Sequence, residues 1–215
     1  MLTEAHNYNV RWEAHQKITR LIHEGKLHEA LAVAERYAED NVMLQSSTYN
    51  FLLGAAVEYH NSECVERAIN LFWTMKVAYN KLTYNHIFTW LSHTNQLQEY
   101  NYLWIKLKFQ LPSMIDARIL VNVLSHTRRH ALGLSWVQDV LNTAQFNNIA
   151  LNSAFYAALV TTYNHLQAFD QAAEVLERYE SLVEKGEIVE DVPSIWIQAI
   201  NTFSRVKKGT CVFTA

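Results

Sequence analysis

The tripeptide Thr83-Tyr84-Asn85 repeats an earlier part of the chain, since the same three residues occur 35 positions before it at Thr48-Tyr49-Asn50. Each copy begins an apolar run whose hydrophobic residues follow at intervals of three and four, as in Tyr84, Phe88 and Leu91. This spacing places the apolar side chains on one face of an α-helix. A helical motif that recurs at such a distance is typical of a repeat array.

The composition favours helices over strands. Of the 215 residues, 50% are hydrophobic, but only 5 are Gly and 2 are Pro, so few positions offer the turns that many short strands need. We therefore expect an all-α protein, an α-solenoid superhelix of about five and a half helical hairpins. It is expected over residues 11–205, between an N-terminal extension (1–10) and a C-terminal tail (206–215). The repeats are predicted at 11–45, 46–80, 81–113, 114–152 and 153–192, with a half repeat at 193–205.

The sequence disfavours several classes of protein. No apolar run approaches the ~18 to 20 residues of a membrane span, because polar or charged residues interrupt each one. The chain has neither a glycine-rich phosphate loop nor a nucleophile motif, so we expect no enzyme, no cofactor and no small-molecule substrate. Metal binding is not expected, since the one histidine pair at i, i+4 spacing, His126 and His130, spans a predicted turn. Cys64 and Cys211 are expected to be reduced thiols.

Charge is distributed unevenly along a chain whose formal net charge is −3. Residues 81–130 contain 6 Lys and Arg against 2 Asp and Glu, whereas both flanking segments carry more acids than bases. Nucleic-acid sites are usually basic, so any phosphate contact is expected in this central segment. Its basic residues are Lys81, Lys106, Lys108, Arg118, Arg128 and Arg129. The alternative is that these side chains form an ordinary solvated surface.

A repeat of 35 residues that forms two helices and opens with Thr-Tyr-Asn resembles the pentatricopeptide repeat family. The resemblance spans about residues 11–205 and is closest over the second and third repeats. It implies a reader of single-stranded RNA, typically in mitochondria or plastids, in which the fifth residue of a repeat reads one base with help from the last residue. The pairs that it implies are Asn50 with Asn80, and Asn85 with Ser113. The remaining fifth places hold His15, Arg118, Ala157 and Ile197.

Alanine and isoleucine cannot hydrogen-bond a base through their side chains, so a continuous code is not expected. Four histidines fall at the thirteenth place of the predicted repeats, where the first helix ends: His23, His93, His126 and His165. The resemblance implies that this place faces phosphates, and protonation would then strengthen the contact. The alternative is that an imidazole near the last carbonyls stabilises the helix end.

Two functions remain open from the sequence. The first is a non-catalytic protein that binds single-stranded RNA or acts within an organellar ribonucleoprotein assembly. The second is a protein-protein interaction scaffold, such as an accessory subunit of a large mitochondrial complex. A mitochondrial location is expected, with the cytoplasm as the alternative, although the N-terminus lacks the composition of a transit peptide. The residues predicted to contact RNA are Asn50, Asn80, Lys81, Asn85, His93, Ser113, Arg118, His126, Arg128 and Arg129.

Overall fold

The computed structural model describes residues 4–188 and 193–210. Every regular element in these residues is helical, so the prediction of an all-α protein is confirmed. The chain divides into two compact units, an N-terminal unit (Met1–Asn95) and a C-terminal unit (Gln96–Ala215). The N-terminal unit contains α1 (Glu4–His23), α2 (Leu27–Glu39), α3 (Ser46–Glu58), α4 (Ser62–Thr74) and α5 (Lys81–His93). The C-terminal unit contains α6 (Leu97–Gln110), α7 (Ala117–Arg129), α8 (Leu134–Phe146), α9 (Ser153–His165), α10 (Phe169–Glu184) and α11 (Pro193–Thr210).

Helices of the N-terminal unit pack as successive hairpins. Helix α1 packs on α2 and α3 on α4, while α1, α3 and α5 contact one another in sequence and α2 contacts α4. The core is formed by side chains from each of the first four helices, such as Ile18, Leu31, Leu52 and Phe72, which are at most 1% exposed. Burial of such a side chain stabilises the fold by roughly 1.5–3 kcal/mol. Each hairpin therefore depends on its neighbour for much of its buried apolar surface.

The C-terminal unit repeats this arrangement. Helix α7 packs on α8 and α9 on α10, and the neighbouring first helices are α7 with α9 and α9 with α11. Its largest fully buried side chains include Trp104 and Tyr100 of α6, Phe155 of α9 and Tyr179 of α10. Helix α11 continues to Thr210, so the tail expected from residue 206 is helical at its start. Residues 211–215, with Cys211, lie outside the described part of the chain.

Most helices end in the same way. In nine of the described helices, the second residue after the helix has a left-handed backbone, with φ between 49° and 74°. In eight of these nine helices the next residue donates its N–H to a carbonyl in the last turn, as Val42 does to Tyr37 at 2.8 Å. This motif satisfies carbonyl groups that a helix end leaves without partners. The left-handed residues are Gly25, Asn41, His60, Lys76, Asn95, Ala131, Asn148, Gln167 and Gly186.

The predicted register of the fourth repeat is wrong by three residues. A short 3-10 helix at Pro112–Met114 precedes α7, which begins at Ala117 and not at Met114. Asp116 caps it, because its carboxylate accepts a hydrogen bond from the Ile119 N–H at 3.1 Å. The first helices α3, α5, α7 and α9 are each 13 residues long, so α7 matches the others only when the repeat begins at residue 117. The third repeat therefore ends at Asp116.

Candidate nucleic-acid interface

Asn50, the first predicted base reader, is built into the helix packing. Only 1% of its surface is exposed. Its Oδ1 accepts a hydrogen bond from Thr83 Oγ1 at 2.8 Å, and its Nδ2 donates to the carbonyl of Ser46 at 3.0 Å. A similar bond one repeat earlier joins His15 Nδ1 and Thr48 Oγ1 at 3.0 Å. The fifth place of one repeat thus bonds the third place of the next, and a base could reach Asn50 only if these side chains moved.

Asn80, the predicted partner of Asn50, caps α5. Its Oδ1 accepts a hydrogen bond from the Thr83 N–H at 3.0 Å, and Thr83 Oγ1 accepts one from the Asn80 N–H at 3.2 Å. This reciprocal pair is a capping box. Asn152 makes the equivalent first bond for α9. The last residue of each of these two repeats is therefore the N-cap of the helix that follows. Lys81 follows Asn80 and is exposed, and Asn85 is half-buried one turn further along α5.

The corrected register changes the roles of Ser113 and Arg118. Ser113 is exposed in the 3-10 helix, and Asp116 occupies the last place of the third repeat instead. Arg118 is the second residue of α7, and its guanidinium lies 3.1 Å from the Asp116 carboxylate. The residue at the fifth place of this helix is Val121, which offers no side-chain hydrogen bond. Asn50 and Asn85 are thus the two amides at this place in the described helices.

His126 lies in the interior and cannot contact a phosphate in this conformation. It is 0% exposed, and its ring stacks on Tyr100 with centroids 3.6 Å apart and an angle of 4° between the planes. Burial, helped by the neighbouring His130 and Arg129, lowers the pKa of His126 to about 4. The expectation of a protonated phosphate contact here is therefore corrected. The cause is the register, because His126 is the tenth residue of α7 and not the last.

The thirteenth place of the first helices is basic in most repeats once the register is corrected. Helices α1, α5 and α9 end at His23, His93 and His165, and α7 ends at Arg129. The thirteenth residue of α11 is Arg205. Helix α3 is the exception, because it ends at Glu58. The sequence prediction missed Arg205, although Pro193 marks the start of that helix and counting from it finds the residue.

A cavity of about 720 Å³ opens between the first helices of the N-terminal unit. Four histidines line it, and two of them touch, since His60 Nδ1 lies 3.2 Å from His93 Nδ1. Such a contact requires that one of the two nitrogens carry a hydrogen and donate it, while the other accepts the hydrogen bond. Glu58 also lines the cavity and would oppose an anion there. The remaining two histidines are His23 and His86.

A second cavity, of about 700 Å³, lies in the C-terminal unit. Arg128, His165 and Arg205 line it from the ends of α7 and α9 and from α11. The other lining residues are polar apart from one phenylalanine, and none is a carboxylate. Arg128 was predicted as a phosphate contact on charge alone, and here it faces a defined concave surface.

Two other basic residues of the central segment are already paired with carboxylates, so they are less available to bind a phosphate than their charge suggests. The Lys108 ammonium lies 2.7 Å and 2.8 Å from the two carboxylate oxygens of Asp139, whose carboxylate also accepts a hydrogen bond from Trp104 Nε1 at 2.8 Å. Arg118 is paired with Asp116 as described above. Both cations would have to exchange an existing partner for a phosphate. The central excess of positive charge therefore overstates the number of available contacts.

Cys64, His28 and Asn61 lie close together, as the cysteine, histidine and asparagine of a catalytic triad do, but the thiol is not placed for catalysis. His28 Nδ1 lies 3.7 Å from Cys64 Sγ, and Asn61 Nδ2 lies 3.3 Å from His28 Nε2. However, Cys64 is 0% exposed, and burial raises the pKa of its thiol. A catalytic cysteine needs the opposite shift and access to substrate.

No known family model matches this chain, and no curated protein matches it either. Among the described residues, no helix is both long and apolar enough to cross a membrane, and no three or more His, Cys, Asp or Glu side chains converge on a possible metal site. The geometry defines a class of protein, namely an all-α protein of repeated helical hairpins.

Proposed function

We propose that this chain is a pentatricopeptide-like α-solenoid without catalytic activity that binds single-stranded RNA, in an organellar ribonucleoprotein assembly. The observation that supports this most is the recurrence of a basic residue at one place of the repeat. His93, Arg129, His165 and Arg205 are the thirteenth residues of α5, α7, α9 and α11. His23, the last residue of α1, is the thirteenth residue of the predicted first repeat. A side chain that recurs once per repeat suits a polymer whose phosphates also recur at a regular spacing.

We expect contacts to the RNA backbone to dominate over base reading. Of the two amides at the fifth place, Asn50 is buried and hydrogen-bonded to Thr83. The first repeat places His15 there, which is hydrogen-bonded to Thr48, and the last three place Val121, Ala157 and Ile197. Phosphate contacts fix position but carry no sequence information, so discrimination between pyrimidine and purine strands should be small.

Fluorescence anisotropy with short poly-pyrimidine and poly-purine RNAs tests this proposal. We expect binding that weakens with salt, with a logarithmic slope of about 0.7 per phosphate contacted for a single strand. Substitution Arg129→Gln should weaken both RNAs equally and reduce the slope by about 0.7. The matched control is Arg178→Gln, an exposed arginine of α10 that does not lie at the thirteenth place. Absence of binding at low salt would exclude the proposal.

The pH dependence of binding offers a second test. Histidine gains positive charge between about pH 8 and pH 5, so RNA should bind more tightly at about pH 6 than at about pH 7.5. The triple substitution His23→Gln, His93→Gln and His165→Gln should remove this dependence. His126→Gln should not, because His126 is buried and its pKa is about 4. An affinity that does not change with pH would remove the histidines from the interface.

A second candidate function is a protein-interaction scaffold, and a specific surface favours it. Tyr102, Ile105 and Phe109 lie on one face of α6 with 69%, 53% and 78% of their surface exposed, and Phe146 at the end of α8 is 87% exposed. Phe109 and Phe146 line a cavity of about 600 Å³. Clustered exposed apolar residues are typical of interaction sites. Substitution Phe109→Ser with Phe146→Ser should release a bound protein without changing RNA affinity.

A further inference from the structure

The cavity of about 700 Å³ in the C-terminal unit is formed by the side-by-side packing of three helices. Helix α9 contacts both α7 and α11, and the cavity extends along the end of α9 between residues of α7 and of α11. Gln198, Asn201 and Arg205 of α11 line the cavity together, because intervals of three and four residues place them on one face of the helix. Arg128 and His165 complete the basic side of the cavity.

The charges around this cavity favour an anion. Two guanidinium groups and an imidazole line it, and none of the lining residues carries a carboxylate. Among the described residues, neither Arg128 nor Arg205 forms an ion pair with an acidic side chain. Arginine binds phosphate through two parallel N–H bonds, which makes it the residue best suited to such a group. A phosphate placed here would offset the repulsion between these like charges.

The amides of the cavity are held in place by hydrogen bonds. Asn164 Nδ2 lies 3.3 Å from Gln198 Oε1, and Asn164 Oδ1 accepts a hydrogen bond from Thr202 Oγ1 at 2.9 Å. The oxygen of Gln198 is therefore engaged, while its NH₂ group remains a donor for a ligand. Asn201 adds an exposed amide one turn further along α11. Amides offer both donors and acceptors, which is what the polar edge of a base requires.

The volume of the cavity and an aromatic ring in its lining restrict the class of ligand further. About 700 Å³ lies within the range of small-molecule sites and exceeds what phosphate alone would fill. Phe169, the first residue of α10, lines the cavity and could stack on a base. The arginines suit a phosphate, the amides suit the polar edge of a base, and the phenylalanine suits the face of a base. A ligand with all three features is a nucleotide.

We propose that this cavity binds one nucleotide of the RNA strand, with its phosphate between Arg128 and Arg205 and its base at Gln198 and Asn201. The inference rests on the proposed function and deepens it. It also departs from the implied code, because the fifth places of α9 and α11 are Ala157 and Ile197, which cannot read a base. Here one nucleotide would be recognised by side chains from other places of the repeat.

Titration of the ¹⁵N-labelled full chain with the four nucleoside 5′-monophosphates tests the cavity without RNA, and inorganic phosphate serves as the comparison ligand. We expect the side-chain amide signals of Gln198 and Asn201 to shift, and nucleotides to bind more tightly than inorganic phosphate. Arg128→Ala and Arg205→Ala should each weaken nucleotide binding by about tenfold, because each removes a charge-assisted contact. Arg178→Ala is the control and should change nothing, since it lies outside the cavity.

The outcomes separate this inference from the proposed function. No nucleotide binding, or inorganic phosphate binding as tightly as nucleotides, overturns the inference. RNA affinity that is retained by Arg128→Ala also overturns it and leaves the proposed function intact, because Arg128 does not lie at the thirteenth place of its repeat. Nucleotide binding without any RNA binding supports the cavity as a nucleotide site and removes the proposed function.

Discussion

Acid should destabilise the C-terminal unit through His126. In the folded chain this imidazole is fully buried and its pKa is about 4, against an ordinary value of 6.5. The unfolded chain therefore binds the proton more readily than the folded chain. The stabilisation is fully present above about pH 6.5 and is lost as the pH falls towards 4. The linkage relation gives a loss of at most about 2 kcal/mol at pH 5 and about 3 kcal/mol at pH 4.

Substitution His126→Phe isolates this contribution. Phenylalanine keeps a flat ring to stack on Tyr100, from which the imidazole is 3.6 Å away, but it has no nitrogen to protonate. Urea unfolding at pH 7 and pH 5 should show that the parent chain loses about 2 kcal/mol more than the variant does between these two values. His165→Phe is the matched control, because His165 is exposed at the end of α9 and its replacement should keep the acid sensitivity of the parent.

Two results would refute the reasoning. If His126→Phe kept the full acid sensitivity of the parent chain, another group would be responsible. If nuclear magnetic resonance showed the His126 imidazole titrating near pH 6.5, the burial that lowers its pKa would not exist in solution. The second measurement is independent of stability and therefore checks the cause directly.

Three further substitutions test the packing. Asn50→Ala should lower the free energy of unfolding in urea by about 1–2 kcal/mol, because it removes the buried acceptor of Thr83 Oγ1, and an unchanged value would argue against this bond. Ala131→Gly should raise stability by roughly 0.5–1 kcal/mol, since Ala131 has φ of 49° where glycine is unstrained, and a melting temperature that fell would contradict this. Asp139→Asn should cost about 1–2 kcal/mol and change the fluorescence of Trp104, whose Nε1 donates to that carboxylate, and an unchanged spectrum would argue against the bond.

The sequence predicted the helical hairpins well where the local signals were strong. The Thr-Tyr-Asn tripeptides mark α3 and α5 correctly, and both helices begin at the predicted residue, Ser46 and Lys81. The apolar intervals of three and four were sufficient because the buried face of each helix is set by packing against its neighbour. Such a pattern predicts the helix and its buried face, but it does not predict which side chains meet between two packed helices.

The predicted start of the fourth repeat is wrong for a local reason. The chain makes a 3-10 turn at Pro112–Met114, and the first three residues of the predicted repeat, 114–116, precede α7, with Asp116 as its cap. Spacing alone therefore assigned His126 to the end of a helix, whereas an Asp before an apolar run is itself a start signal that would have corrected the register. The environment of Asn50 could not be predicted in this way, because its partner Thr83 is 33 residues distant and meets it only after the helices pack.

The bonds from His15 to Thr48 and from Asn50 to Thr83 have a consequence for engineering. A segment cut at the sequence period, from Ser46 to Asn80, would separate Asn50 from the threonine that completes it. A transplantable module should instead extend through Thr83, so that donor and acceptor travel together. A segment from His15 to Thr83 would contain both bonds, so a graft with these bounds should insert without separating either donor from its acceptor.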